Sequence, residues 1–465
     1  MCYDAAVTLV DRDTEQAQLA DALAHRPSLV VMMGRRRVGK SFLLAATITG
    51  DRVVSFQGDE QGERQHLELL AEEAGRALLG ASALRFDDWD AALSFFAVQA
   101  TQAPLALVLD EFQHLLAAQP ALDSIIQRHW DRWQRDGVPI LLALCGSALS
   151  LMESLLDHSS PLYGRANYRL RVEPIDYRFA AEFASTGDPE QLIRRYAALG
   201  GTPQYQVWAG RGDLRQVLRD AVLTKGSPLY EDPLHILREG EGIRDPGTYL
   251  AILRAIAGGA TQHNEIAQQS GVASSNLAKK LERLVELGYV VHRHPVSAEG
   301  DDSARAVYRI DDPFFRFWFR YVARNRSRLD RGRVNEVLTE VMKDLDNVMG
   351  PAFEECCRQW AGRYAGETLV GSSERLGSWW SRKGDAEIDV VGVRRHRYEF
   401  LGSCKWAKVV DDDVLDTLYE YRALLGGKAA RARVAVFARE SFTEKLEQRA
   451  KDESVLLVTA ADLFA

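Results

Sequence analysis

Residues Gly34, Arg35, Arg36, Arg37, Val38, Gly39, Lys40 and Ser41 spell G-x-x-x-x-G-K-S. An apolar run, Leu29-Val-Val-Met-Met33, precedes them, and a helical pattern beginning Phe42-Leu-Leu-Ala-Ala follows. In that setting the spacing predicts a phosphate-binding loop, because glycine lets the backbone fold tightly enough to aim successive N–H groups at one point. The following helix adds the positive end of its dipole there. The implied ligand is a nucleoside triphosphate held by Gly34 through Phe42. Lys40 is expected to reach the β- and γ-phosphates, and the Ser41 hydroxyl to hold Mg²⁺.

A second apolar run, Pro104-Leu-Ala-Leu-Val-Leu, ends in Asp110-Glu111-Phe112. It reads as a buried parallel strand with its acids at the carboxyl end, where ligands of open α/β sheets sit. Asp110 is expected to reach the metal through its water shell, and Glu111 to polarise an attacking water. A third run, Val138 to Cys145, ends in Gly146-Ser147. Ser147 reads equally as a sensor of the γ-phosphate beside Glu111 or as an ordinary helix N-cap.

These residues need a multi-stranded α/β sandwich to position them. Arg52-Val-Val-Ser-Phe-Gln57 supplies a further strand, and Glu63 to Leu79 a helix on one face. At 465 residues, with 46% apolar and 27% charged residues, the chain has material for two to four folded domains. No apolar run approaches the ~20 residues that span a bilayer, and the first residues lack a basic lead. A cytoplasmic protein with no membrane partner is expected. The five cysteines, Cys2, Cys145, Cys356, Cys357 and Cys404, include no C-x-x-C, so neither a disulfide framework nor a zinc site is indicated.

The net charge of −8 argues against indiscriminate coating of nucleic acid. Charge is nonetheless uneven. Seven arginines face one acid, Asp330, between Arg316 and Arg333. Arg316, Arg320 and Arg324 have i, i+4 spacing and are expected on one helix face, with Phe317, Trp318, Phe319 and Tyr321 turned to the core. That face reads either as a nucleic-acid contact or as a solvated basic surface between domains.

Along the chain, residues 1–172 read as the nucleotide core and 173–244 as a helical lid broken at Gly200-Gly-Thr-Pro203. Residues 245–325 read as a winged helix-turn-helix: three short helices, a strand, a polar hairpin and a returning strand, Val307-Tyr-Arg-Ile310. Ser274, Ser275, Asn276, Lys279, Lys280 and Arg283 would then face a DNA groove or phosphates. The wing carries Glu299, Asp301 and Asp302, which suits protein docking as well as DNA. Residues 326–465 return to α/β. A helix at Val337 to Tyr364 carries Glu354, followed by Glu387-Ile-Asp389, by Gly402-Ser-Cys-Lys-Trp406, and by a further helix and strand.

The chain resembles the archaeal-type P-loop ATPases, related to the AAA+ and STAND groups, that carry a C-terminal nuclease-like domain of unknown function. The matching segments are Val10-Asp-Arg-Asp-Thr-Glu15, the phosphate loop with its three arginines, Leu109-Asp-Glu-Phe112, Cys145-Gly-Ser147 and Pro161-Leu-Tyr-Gly-Arg165. Gly200-Gly-Thr-Pro203, Tyr308 to Arg320 and Glu387-Ile-Asp389 complete them. The resemblance implies an ATPase using ATP and Mg²⁺, a winged helix, and a restriction-endonuclease-like tail of the PD-(D/E)xK type. It further implies that Arg165 contacts a γ-phosphate, its own or that of a neighbouring subunit in a homo-oligomer, a structural salt bridge being the alternative. Pro203 resembles the proline that packs on adenine in STAND relatives, or else simply breaks a helix.

The tail departs from the family in one place. Where the family usually has Gly-Glu-Cys-Lys-Trp, this chain has Ser403 in place of the acid. That acid and Asp389 would together hold a metal beside Lys405, and serine is a poor Mg²⁺ ligand. Glu399 is expected on the face of Ser403 and Lys405 but about 13 Å from Ser403 along a strand, whereas Glu387 or Glu354 could compensate. The expectation is therefore an ATP-driven switch or motor acting on or through nucleic acid, with a vestigial nuclease site. The alternative is a STAND-like scaffold whose assembly is set by ATP and whose C-terminal domains bind an unknown protein.

Overall fold

The apolar runs become the central strands of a parallel sheet in the computed structural model of the chain, which describes residues 9–50, 52–80, 84–239, 243, 245–297 and 306–465. The chain divides into two compact units, Met1–Ile175 with Glu286–Gly288, and Asp176–Val285 with Tyr289–Ala465. In the first unit β1 (Ser28–Met33), β2 (Val53–Gln57), β3 (Leu105–Asp110), β4 (Ile140–Gly146) and β5 (Tyr168–Arg171) are all parallel, in the order β2-β3-β4-β1-β5. Every residue of β1, β3 and β4 is buried, as a sheet covered on both faces requires.

Alternation along β1 separates two cores. Leu29, Val31 and Met33 pack with Leu67, Leu70, Phe96 and Trp130, from the helices Glu63–Ala74, Trp89–Gln102 and Leu122–Asp136. Val30 and Met32 pack with Leu19, Leu43 and Leu44 instead. Each such side chain, fully buried, contributes about 1.5–3 kcal/mol, so the sheet is fixed from both faces. Its register then sets the site. Met33 is level with Gly146, and Leu109 with Leu144, which puts the carboxyl ends of β1, β4 and β3 on one edge with β4 in the middle.

In the second unit, Gly200 takes a left-handed φ of 68° to end the helix Pro189–Leu199. Pro203 opens the next helix, Pro203–Ala209, a position where its missing N–H leaves no bond unmade. The helices Pro246–Ala257, His263–Ser270 and Ser274–Glu286 lead into an antiparallel pair, β6 (Val290–Arg293) and β7 (Val307–Ile310). The acidic residues Glu299, Asp301 and Asp302 lie outside the described residues.

Two expectations change beyond β7. The helix carrying Arg316, Arg320 and Arg324 contains a π-helical turn at Trp318–Val322, between Pro313–Phe317 and Ala323–Leu329. Its wider turn displaces the i, i+4 register, so the three arginines do not form one regular stripe. The helix expected over 337–364 is two, Val334–Asp344 and Gly350–Arg363, joined by a tight turn at Leu345–Val348. Pro351 explains the break, because it cannot donate to the preceding turn but fits the first turn of a new helix.

A separate mixed sheet closes the chain. β8 (Arg375–Trp380), β9 (Glu387–Arg394) and β10 (Arg397–Lys405) are antiparallel neighbours, and β12 (Arg433–Ala438) and β14 (Leu456–Thr459) continue in parallel, giving β14-β12-β10-β9-β8. The helix Asp413–Leu424 makes the crossover that parallel pairing of β10 with β12 demands. The short β11 (Val409–Val410) and β13 (Ser441–Phe442) pair beside it. The four described cysteines are free and buried. Among the described residues no helix is long and apolar enough to cross a membrane.

Candidate functional site

Gly34 leaves β1 where a Cβ would stand 2.5 Å from the Val172 carbonyl oxygen, so no larger residue fits without moving backbone. Arg37 and Gly39, with φ of 70° and 94°, are both left-handed and flank Val38. Alternation of this kind turns successive N–H groups to one side. Lys40, almost fully buried, donates from Nζ to the carbonyls of Gly34 at 2.8 Å and Arg35 at 3.0 Å. Its ammonium thus lies inside the loop it is expected to serve.

The other expected residues arrive from the neighbouring strand ends. Ser41 Oγ donates to Asp110 Oδ2 at 2.5 Å, bringing together the two oxygens assigned to Mg²⁺. Asp110 Oδ1 accepts the Glu111 N–H at 2.8 Å. Glu111 adopts φ 49°, a left-handed turn between β3 and the helix Phe112–Ala118. Strain of this kind in a non-glycine residue is sustained where the surroundings fix the side chain. The surroundings here are Gln113 and Ser147. Both donate to Glu111 Oε2, Ser147 at 2.9 Å. Gln113 also donates to Ser147 Oγ at 3.2 Å and accepts the Ser147 N–H at 3.3 Å.

Burial opposes the charge on Glu111, yet the Gln113 amide, the Lys40 ammonium, Ser147 and Arg36 outweigh it and hold the carboxyl below its ordinary value. An ionised carboxylate at this point suits a group that accepts a proton from water. Cys145 is the opposite case: burial, then the Asp110 charge, push its thiol well up. No motif in the sequence singles out Gln113. The only signal was its place two residues after Glu111, and that spacing gains meaning only once β4 is known to lie beside β3.

Arg165 is bound elsewhere. Its guanidinium makes a two-pronged pair with Asp131, Nε to Oδ1 at 2.7 Å and Nη2 to Oδ2 at 2.9 Å, and Nη1 donates to the Pro161 carbonyl. Of the two expectations for Arg165, the structure therefore has the salt bridge. The matched geometry of guanidinium and carboxylate favours it, and the Asp131 bond raises the arginine's pKa further. Pro203 lies in the second unit, where Thr202 precedes it and donates to Asp312.

In the helix Ser274–Glu286, Leu277, Leu281 and Leu284 face the core. Ser274, Ser275, Asn276 and Lys279 are exposed, while Lys280 lies over the Tyr249 ring at 4.8 Å. The arginine-rich segment is largely paired within its own unit. Arg320 meets Asp344 at 3.0 Å, Arg326 meets Glu231 at 2.9 Å, and Arg328 meets Glu340 at 2.7 Å. Phe317, Trp318, Phe319 and Tyr321 are buried as expected.

In the C-terminal sheet, Glu387, Asp389, Ser403 and Lys405 line one cleft of about 700 Å³. Asp389 Oδ2 accepts the Cys404 N–H at 2.6 Å and the Ser403 hydroxyl at 3.4 Å. Burial, and then the charge of Glu354, raise its carboxyl to about 7. Glu387 pairs with Arg309 at 3.3 Å, and Glu354 with Arg358 at 3.7 Å. Glu399 departs from the expected face: the β9–β10 register shifts between Tyr398 and Phe400, and Glu399 packs by Gly371 instead. An extra residue at such a bulge breaks the two-residue alternation.

The phosphate loop, the acid-ended β3 and the intervening β4 define the class, a P-loop ATPase. Residues 9–207 match the family described as an ATPase domain predominantly from Archaea. Residues 318–416 match a second family, described as archaeal and bacterial proteins of unknown function. The chain therefore carries an archaeal-type ATPase domain and, C-terminal to it, a domain of that second family. An uncharacterized protein of Methanocaldococcus jannaschii is 26% identical over 438 residues, 90% of this chain and 95% of that one. A Walker-type ATPase of Pyrococcus abyssi shares the fold at a TM-score of 0.51 and 21% identity, over 67% of this chain and 96% of its own.

Proposed function

We propose that this chain is an ATP-hydrolysing switch that acts on, or is regulated through, nucleic acid, and whose C-terminal nuclease-like domain does not cut. The observation that carries the ATPase reading is the convergence of Lys40, Ser41, Asp110, Glu111 and Ser147 on one sheet edge. Gly34 through Phe42 cradle the triphosphate, Lys40 balances its charge, and Glu111 takes a proton from the attacking water. Ser41 and Asp110 offer Mg²⁺ the oxygen donors that a hard cation prefers. When bound, the ion neutralises charge developing on the phosphates. Ser147, linked to Glu111 both directly and through Gln113, couples the state of the γ-phosphate to the carboxylate. The proposed parts are the ATPase core at 1–172, the lid with Pro203 at 173–244, the winged helix at 245–325 and the nuclease-like domain at 326–465.

Removing Gln113 tests the assignment of Glu111 through pH. Gln113→Ala deletes a donor that lowers the Glu111 pKa, so that pKa should rise. Hydrolysis needs the ionised carboxylate and is lost as pH falls through the pKa. The acid limb of the kcat profile should therefore move to higher pH, with ATP affinity little changed. An acid limb that stays in place would separate Glu111 from the proton transfer.

Nucleic-acid contact is proposed through Ser274, Asn276, Lys279 and Lys280 rather than through the paired arginines. Duplex retention should fall linearly on a log–log plot against salt, and Lys279→Glu with Lys280→Glu should weaken it at fixed salt. The internal pairing of Arg320, Arg326 and Arg328 favours a second reading, a STAND-like scaffold whose assembly is set by ATP and whose later domains bind protein. Absence of duplex affinity even at low salt, with nucleotide-dependent change of mass in solution, would select that reading.

A further inference from the structure

A cavity of about 460 Å³ within the second unit is bounded by β7, the π-helical turn and the helix that starts at Gly350. Arg309, Arg316 and Arg320 line it together with Tyr308, Phe317 and Asn347. Arg309 and Arg320 already have partners, Glu387 at 3.3 Å and Asp344 at 3.0 Å. The Arg316 side chain has neither a hydrogen bond nor an ion pair among the described residues. The acids that act on its charge also have partners of their own: Asp311 pairs with Arg293 at 2.6 Å, Asp312 accepts the Phe315 N–H at 3.0 Å, and Glu355 pairs with Arg358 at 3.0 Å, while Glu354, in the same lining, pairs with Arg358 at 3.7 Å. The half-buried Arg316 guanidinium therefore lines the cavity with no direct protein acceptor, and its charge and N–H donors are available to an anionic group there.

The lining also has ring-bearing and apolar members, Tyr308, Phe317 and Ile256 among them. A volume of this size is that of a small-ligand pocket and exceeds what a lone oxyanion fills. Glu387 lines both this cavity and the cleft of Asp389 and Lys405, so an occupant of one lies next to the other. We infer that the cavity is a second nucleotide site, in which Arg316 grips the phosphate of a free mononucleotide or of the phosphorylated end of a nucleic-acid strand. A planar guanidinium suits a phosphate's paired oxygens, and the aromatic wall suits a base. The site is independent of the phosphate loop and requires no hydrolysis.

The test uses the full chain carrying Lys40→Ala, so that the phosphate loop does not compete. Binding of AMP, of a 5′-phosphorylated tetranucleotide and of its 5′-hydroxyl counterpart is measured at equilibrium. The phosphorylated strand should bind at least about tenfold tighter than the hydroxyl form, as the loss of one charge-assisted contact implies. AMP binding equal to the strand identifies a free nucleotide as the ligand, and weaker AMP binding identifies the strand end. Arg316→Gln should abolish the phosphate preference. Asn347→Asp, at an exposed rim position, should weaken binding severalfold and decides the matter if Arg316→Gln fails to fold. Equal binding with and without the phosphate, or a preference that survives both substitutions, overturns the inference.

Discussion

Glu111→Gln should bind ATP as well as the parent chain does, or better, while hydrolysing it about 10²–10⁴-fold more slowly. The amide keeps the shape and the bonds to Gln113 and Ser147 but cannot accept a proton, and general-base assistance is typically worth that factor. Removing a negative charge from a site that receives triphosphate cannot weaken ground-state binding electrostatically. Lys40→Ala should behave differently. Its ammonium contacts phosphates in ground and transition states alike, so binding and turnover should fall together. Equilibrium binding of a fluorescent ATP analogue and single-turnover hydrolysis separate the two variants. Undiminished hydrolysis in Glu111→Gln removes that residue from its role. Intact binding in Lys40→Ala would move the triphosphate away from this loop altogether.

The part of this site legible in the sequence is the part whose chemistry demands contiguous residues. The phosphate loop needs its glycines, lysine and serine at fixed offsets, and Asp110-Glu111 follows an apolar strand that had to be buried. Gln113 was not legible, because its role depends on β4 lying between β1 and β3, which no local pattern encodes. Arg165 left two readings open, since its partner Asp131 lies 34 residues away on a helix whose outer face has no sequence signature. Regular periodicity misled in three places for one physical reason. The π-helical turn at Trp318–Val322, the bulge at Glu399 and the proline at 351 each alter the residue count by which faces are assigned. Beyond such a point, i, i+4 or i, i+2 arithmetic assigns side chains to the wrong side.

The C-terminal domain should show little or no metal-dependent cleavage of DNA or RNA, with or without ATP. Asp389 and Lys405 share the cleft with Ser403 and Glu387, but the position beside Asp389 presents a hydroxyl, and Glu387 is engaged by Arg309. A hydroxyl brings no negative charge to the ion and holds Mg²⁺ weakly. Ser403→Glu should change this in two ways. Without metal, a second carboxylate within reach of Asp389 adds like-charge repulsion in a partly buried cleft and should lower Tm. With Mg²⁺ or Mn²⁺ both carboxylates become ligands, and binding at about 100 times Kd restores about 2.7 kcal/mol. A Tm that is lower in chelator and recovers with metal in Ser403→Glu, but does not respond to metal in the parent chain, is the expected pattern, and cleavage gained by the variant would extend it to activity. Robust cutting by the parent chain that disappears in Asp389→Ala would show that Glu354 or Glu387 already completes the metal site.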